Sequence, residues 1–166
     1  MADDFFAPPD SDDIPTDAVT AGASAGVVTR TVEVGADLDD VWRAVTDPAE
    51  RSLWLDDPDA LARRVRVDES TPGRRLVWTW WHPGDEGQAS TVSVVLRPTD
   101  GGGTRLVVTE SLHMSVAPVI SAQAGRRASV AATRRRQTWL RCASDRWDSR
   151  LLGLELLFVA ARAGVA

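Results

Sequence analysis

The sequence predicts an α+β domain in which one strand and two short helices precede an antiparallel meander and a long C-terminal helix. Two patterns carry that prediction. Residues 27–34 and several later runs alternate apolar and polar side chains, the period-two signature of half-buried strands. Past residue 138 the period changes. Trp139, Ala143, Trp147, Leu151, Leu154 and Phe158 follow at steps of 4, 4, 4, 3 and 4, one apolar stripe along a helix. At 166 residues, 43% of them hydrophobic, the chain has the size of one domain with its own core. It shows no repeat and no second domain.

The elements follow in order. In "VVTRTVEV" (27–34), Val28, Val32 and Val34 share a face with Arg30. Asp37 then stands as an N-cap, with Leu38, Val41, Trp42 and Val45 at helical spacing behind it. Asp47-Pro48 ends that helix, a second short one runs to Trp54 or Leu55, and "DDPDA" reads as a loop. Four strand-like runs come next. "ARRVRVDES" is short and polar. "RRLVWTWW" places Leu76, Trp78 and Trp80 on one face. "STVSVVLRP" does the same for Val92, Val94 and Leu96, and "TRLVVTESLH" for Leu106, Val108 and Glu110. "TDGGG" is a hairpin turn, since glycine adopts positive φ without steric cost. Residues 115–136 read as irregular or loosely helical, and the last helix is expected from about Gln137 to Arg162, with Gly153 as a bend or close-packing point.

Composition narrows the chemistry. All 19 cations are arginines, so a lysine nucleophile or Schiff base is excluded. Cys142 is the one cysteine, which rules out an internal disulfide and a thiolate zinc cluster; it reads as a small, partly buried hydrophobe on a helix. His82 and His113 stand in no metal-binding or triad spacing, so no metal, cofactor or catalytic residue is expected, and both read as surface histidines. The start of the chain lacks a signal-peptide pattern, and "LLGLELLFVA" is too short to span a membrane. A cytoplasmic protein is expected, and the heavy use of Ala, Arg, Asp, Val and Gly resembles that of a GC-rich bacterial genome.

Charge is unevenly spread. Residues 1–26 carry six aspartates and no arginine, and read as a disordered acidic tail with Phe5 and Phe6 as its bulky anchors. Between Ser111 and Ser144 stand Arg126, Arg127, Arg134, Arg135, Arg136 and Arg141, with no acid. This segment is a solvated helix face, a seat for the acidic tail, or a site for a protein partner or anionic ligand. Nucleic acid is a poorer fit, since the net charge is −5 and no aromatic stacking motif accompanies the arginines.

"TVEVGADLDDVWRAVTDPAERSLWL" resembles the opening strand and helix pair of the SRPBCC superfamily, also called START-like or birch-pollen-allergen-like. "RLVWTWW", "STVSVVLRPTDGGGTRLVVTES" and "DRWDSRLLGLELL" narrow the resemblance to the branch named after the activator of the heat-shock-protein-90 ATPase. The likeness covers residues 27–112 and 139–158; the arginine-rich insertion at 114–138 departs from the family pattern. It implies a helix-grip fold over residues 27–162, a curved sheet wrapped around the C-terminal helix, with a cavity often lying between them. Superfamily members include lipid carriers, polyketide cyclases and co-chaperone-like proteins, and the fold does not choose among them.

Within such a fold Trp78, Trp80, Val92, Val94, Leu106 and Val108 face the helix, with Trp139 or Trp147 opposite. They form either plain core or the wall of a ligand cavity. Trp42 and Trp54 read as structural, and Trp81 as exposed at a sheet edge. Arg30 and Glu110, on the first and last strands, are expected to meet inside the concave face as a structural pair or a polar anchor for ligand. Three functions follow: non-catalytic binding of a hydrophobic small molecule, lipid or polyketide-like; a co-chaperone-like protein-interaction module; and a cyclase- or dehydratase-type enzyme, for which Glu110 and His113 are the available acid–base groups.

Overall fold

The computed structural model describes residues 26–113 and 122–164, with side chains described outside 122–129. The expected acidic tail therefore lies outside the described residues, apart from Gly26. Strand β1 (Val27–Val34) leads into α1 (Leu38–Thr46), α2 (Pro48–Trp54) and a one-turn α3 (Pro58–Leu61). Strands β2 (Arg64–Thr71), β3 (Arg75–Trp81), β4 (Ser90–Pro98) and β5 (Thr104–Leu112) form the meander, and α4 runs from Ala122 to Ala163. The curved, unclosed sheet has the order β1-β5-β4-β3-β2, antiparallel throughout.

Aspartates punctuate the helices. Asp37 Oδ1 accepts from Asp40 N at 2.9 Å and starts α1. Asp47 Oδ1 accepts from Ala49 N and Glu50 N, so the residue that ends α1 also starts α2. Asp57 Oδ1 accepts from Ala60 N, and "DDPDA" thus turns into α3 instead of a plain loop.

Strand parity holds: Trp78, Trp80, Val92, Val94, Leu106 and Val108 are all buried on the helix side. The ladder irregularity falls in β2, between Val67 and Glu69, not at Trp80–Trp81. Trp81 is half-buried at the end of β3, an inner strand paired with β2 and β4, so it does not mark a sheet edge. β2, the true edge beside it, is exposed along its whole length.

The α4 stripe is buried as its spacing predicts, with Ala143, Trp147, Leu151 and Leu154 in the core and Trp139 and Phe158 at its margins. Gly153 is a close-packing point, where an added Cβ would lie 3.4 Å from the Trp54 carbonyl. Two expectations are corrected. The helix starts at Ala122, about four turns before Gln137, since the alanines and arginines of that stretch, with Gln123, are good helix formers. Cys142 points to solvent, not into the core.

Candidate functional site

The middle of α4 closes on the sheet around a carboxylate. Glu110 of β5 is 2% exposed. Its Oε1 accepts from Trp80 Nε1 at 2.9 Å and from Ser90 Oγ at 2.5 Å, and its Oε2 accepts from Trp147 Nε1 at 2.7 Å. Each of these partners donates, the set a carboxylate needs when buried. Arg63 Nη1 adds a positive charge 3.8 Å away. The rings of Trp80 and Trp147 stack with centroids 5.9 Å apart, and Trp78 meets Trp80 edge-on at 6.1 Å.

A layer of charge covers this cluster. The Arg63 guanidinium lies 4.6 Å from the Trp80 ring centroid, and that of Arg150 lies 5.0 Å from Trp80 and 5.1 Å from Trp147. Arg150 Nε donates to Asp57 at 2.6 Å, while Asp59 receives Arg63, Arg146 and Arg150 and contacts His82 Nε2 at 3.1 Å. Burial pushes the Asp59 carboxyl up. The charges of Arg63 and Arg146, with hydrogen bonds from Arg63 and His82, outweigh it and hold Asp59 below the usual carboxylate range. At Asp57 burial is likewise outweighed, by the Arg150 hydrogen bond, the Ala60 N–H and the Arg150 charge. Among the described residues, no group of His, Cys, Asp and Glu could hold a metal ion.

The other end of the sheet is open. Leu112 at the end of β5, the turn at Asp85 and Gln88, and Arg135, Arg136 and Trp139 of α4 line a groove of about 330 Å³. Trp139 also closes on the chain's entry into the fold: a Cβ on Gly26 would lie 3.2 Å from its ring. Three other grooves have volumes of about 270, 160 and 470 Å³. In the largest, Asp37 is engaged in capping α1 and Asp40 pairs with Arg43. Trp78, Trp80, Val92, Val94, Leu106 and Val108 line none of these four.

Comparison with known proteins places this geometry. The family model described as "Activator of Hsp90 ATPase homolog 1-like protein" (AHSA1) matches residues 36–146, two thirds of the chain. The chain belongs to the AHSA1 family. No curated protein matches it. Among solved structures, protein MLL2253 from Mesorhizobium loti aligns with a TM-score of 0.55 at 20% identity, over 81% of this chain and 97% of that one. DynU16, a putative protein in the dynemicin biosynthetic locus, aligns at 0.54 and 21%, over 78% of this chain and 46% of its own. CalU16 from Micromonospora echinospora aligns at 0.50 and 20%, over 80% and 75%. At these identities the three show the fold.

In this AHSA1 chain the expected Arg30–Glu110 pair does not form. β1 and β5 do pair antiparallel, but in a register that sets Arg30 opposite Val108 and Val28 opposite Glu110. Both oxygens of Glu110 are taken by indole and hydroxyl donors from β3, β4 and α4. Arg30 instead pairs with Asp148 of α4 at 2.5 Å and donates to Ser144 Oγ. The remaining expected site residues separate into two groups. Trp78, Trp80, Val92, Val94, Leu106, Val108, Glu110 and Trp147 pack on one another in the core, while Trp139 lines the open groove.

Sequence reasoning missed Asp57, Asp59, Arg63, Ser90 and Arg150. One signal was available: Arg150 lies three residues after Trp147 and four before Leu154, on the stripe that faces the core. His82, expected at the surface, is half-exposed and tied to Asp59, whereas His113 contacts Thr91 Oγ1 at 2.6 Å.

Proposed function

We propose that this AHSA1 chain is a non-catalytic binder of a hydrophobic small molecule carrying an anionic group, such as an aromatic polyketide-like acid. The seat is the groove between the sheet end and α4. One observation carries the reading: Trp139 and Leu112 offer apolar surface beside Arg135, which has no ion-pair partner among the described residues. The volume of about 330 Å³ lies at the small end of ligand sites. The ligand buries apolar surface on the indole, and its acid group meets the guanidinium. Glu110 takes no part, since its three donors and the stacked indoles enclose it. We place the protein in the cytoplasm; among the described residues no helix is long and apolar enough to cross a membrane.

The aromatic sulfonate 1-anilinonaphthalene-8-sulfonate tests the reading. Trp139→Ala should weaken its binding by about tenfold, or about 1.4 kcal/mol, and Arg135→Ser by a smaller factor. Equal binding by the parent chain and Trp139→Ala would refute the assignment.

A second reading, a protein partner, has its own support. Leu152, Leu156 and Val159 are 55%, 57% and 62% exposed at helical spacing on the outer side of α4. A partner docked there should be lost on Leu156→Glu and unaffected by Trp139→Ala.

A further inference from the structure

Residues 1–25 carry Asp3, Asp4, Asp10, Asp12, Asp13 and Asp17, no cation, and the two rings of Phe5 and Phe6. The chain enters the described fold at Gly26, and that point touches the open groove. The Gly26 carbonyl accepts from Leu112 N at 2.8 Å, and a Cβ added to Gly26 would lie 3.2 Å from the Trp139 ring. On α4, Arg134, Arg135 and Arg141 are exposed and have no ion-pair partner among the described residues. Arg134 and Arg141 are seven residues apart and share one side of the helix, about 10 Å along its axis. Arg135 flanks Trp139 in the groove. Asp85 is the acid on the groove wall, and it is engaged by Gln88 Nε2 at 2.7 Å.

We propose that residues 1–25 dock in cis on this face of α4. The aspartates then lie along Arg134, Arg135 and Arg141, and Phe5 and Phe6 reach the Trp139–Leu112 surface. The geometry allows it: the twenty Cα-to-Cα steps from Phe6 to Gly26 can span up to about 66 Å when extended. The tether also holds the segment at high local concentration, so modest charge attraction suffices. The segment is thereby a built-in competitor for any anionic ligand of the groove. The inference uses the same groove as the proposed function but does not depend on its small-molecule occupant.

The test needs no ligand. A nitroxide attached to Cys142, exposed and one turn beyond Trp139 on α4, broadens backbone amide signals near it in the isotope-labelled full chain. Docking predicts strong attenuation of residues 5–17 at about 20 mM salt and recovery at about 0.5 M, where charge attraction is screened. The chain carrying Arg134→Ser, Arg135→Ser and Arg141→Ser should show about twofold less attenuation at low salt, with an unchanged circular dichroism spectrum. Attenuation that is equal in both chains and at both salts would reduce the contact to tethering and overturn the proposal. Attenuation of an isotope-labelled, untagged chain by a tagged, unlabelled one would also overturn it, because docking would then run between molecules. Asp10→Asn, Asp12→Asn, Asp13→Asn and Asp17→Asn together should tighten anilinonaphthalene sulfonate binding severalfold. Unchanged affinity for that probe would leave docking intact only if the attenuation persists, and would then refute the competition.

Discussion

Two stretches of one helix, eight residues apart, treat tryptophan and arginine in opposite ways. Around Trp147 the indole N–H reaches Glu110, and Arg150 is locked to Asp57 and Asp59 with its side chain 3% exposed. Around Trp139 the ring borders a groove, and Arg135 beside it stands in solvent without a partner among the described residues. Residue type does not separate structure from function here; satisfaction does. Polar groups whose hydrogen bonds are complete hold the fold, whereas a cation and an apolar ring left side by side at a surface are free to hold something else.

If the closed end is structural, the largest loss of stability should come from Glu110→Ala. That change leaves the Trp147 N–H and the Ser90 hydroxyl without an acceptor and opens a cavity beside the indoles, while Trp80 Nε1 keeps Ser90 Oγ and Arg63 keeps Asp59; it should cost about 3–4 kcal/mol. Urea unfolding measures it; a loss below about 1 kcal/mol would mean that the cluster is open to water. Next comes Arg150→Met, expected to cost about 2–3 kcal/mol. The cost is below that of a fully buried pair, because Asp57 and Asp59 reach water on one side.

Acid should act on the same end. Asp57 and Asp59 titrate below their unfolded values, which lie near 3.9. Their contribution to stability is therefore complete above about pH 5 and is lost as pH falls through the unfolded and then the folded values. Urea midpoints measured down the acid limb should fall for the parent chain and fall less for Arg150→Met, whose Asp57 has already lost its principal partner. Parallel acid limbs would remove Arg150 from this role. The smallest effect belongs to the open end. Arg135→Ser should change stability by less than about 0.5 kcal/mol while weakening anilinonaphthalene sulfonate binding. A large loss of stability would put Arg135 with the structural arginines.

Much of this contrast was legible in the sequence. Alternation in β3, β4 and β5 assigned the buried face of each strand, because a period of two leaves no freedom once one side is apolar. The spacing from Trp139 to Phe158 gave the core-facing side of α4. Asp37 announced the start of α1 through the hydrogen bonds its side chain can accept, and Asp47-Pro48 announced its end. The partner of Glu110 was not legible. Arg30 and Glu110 do lie on paired strands, but two residues out of register. The choice between Arg30 and the indoles of Trp80 and Trp147 depends on how α4 crosses the sheet, which no local pattern encodes. The same holds for the pairing of Asp57 and Asp59 with Arg146 and Arg150, which arrive from α4 more than eighty residues later; only Arg63, four residues after Asp59, is a local partner. The groove at Trp139 is a property of where β5 ends and α4 leaves the sheet, which neither strand parity nor the family resemblance encodes.

The central claim, that ligand meets the open end and not the interior, can be read from one spectrum. Each of the seven tryptophans contributes an indole N–H signal, assignable by single substitutions in the full chain. On titration with anilinonaphthalene sulfonate, the Trp139 signal should move in a saturable way while those of Trp78, Trp80 and Trp147 hold their positions. Shifts of the Trp80 and Trp147 signals with Trp139 unmoved would show that ligand enters between sheet and helix, and would contradict the account.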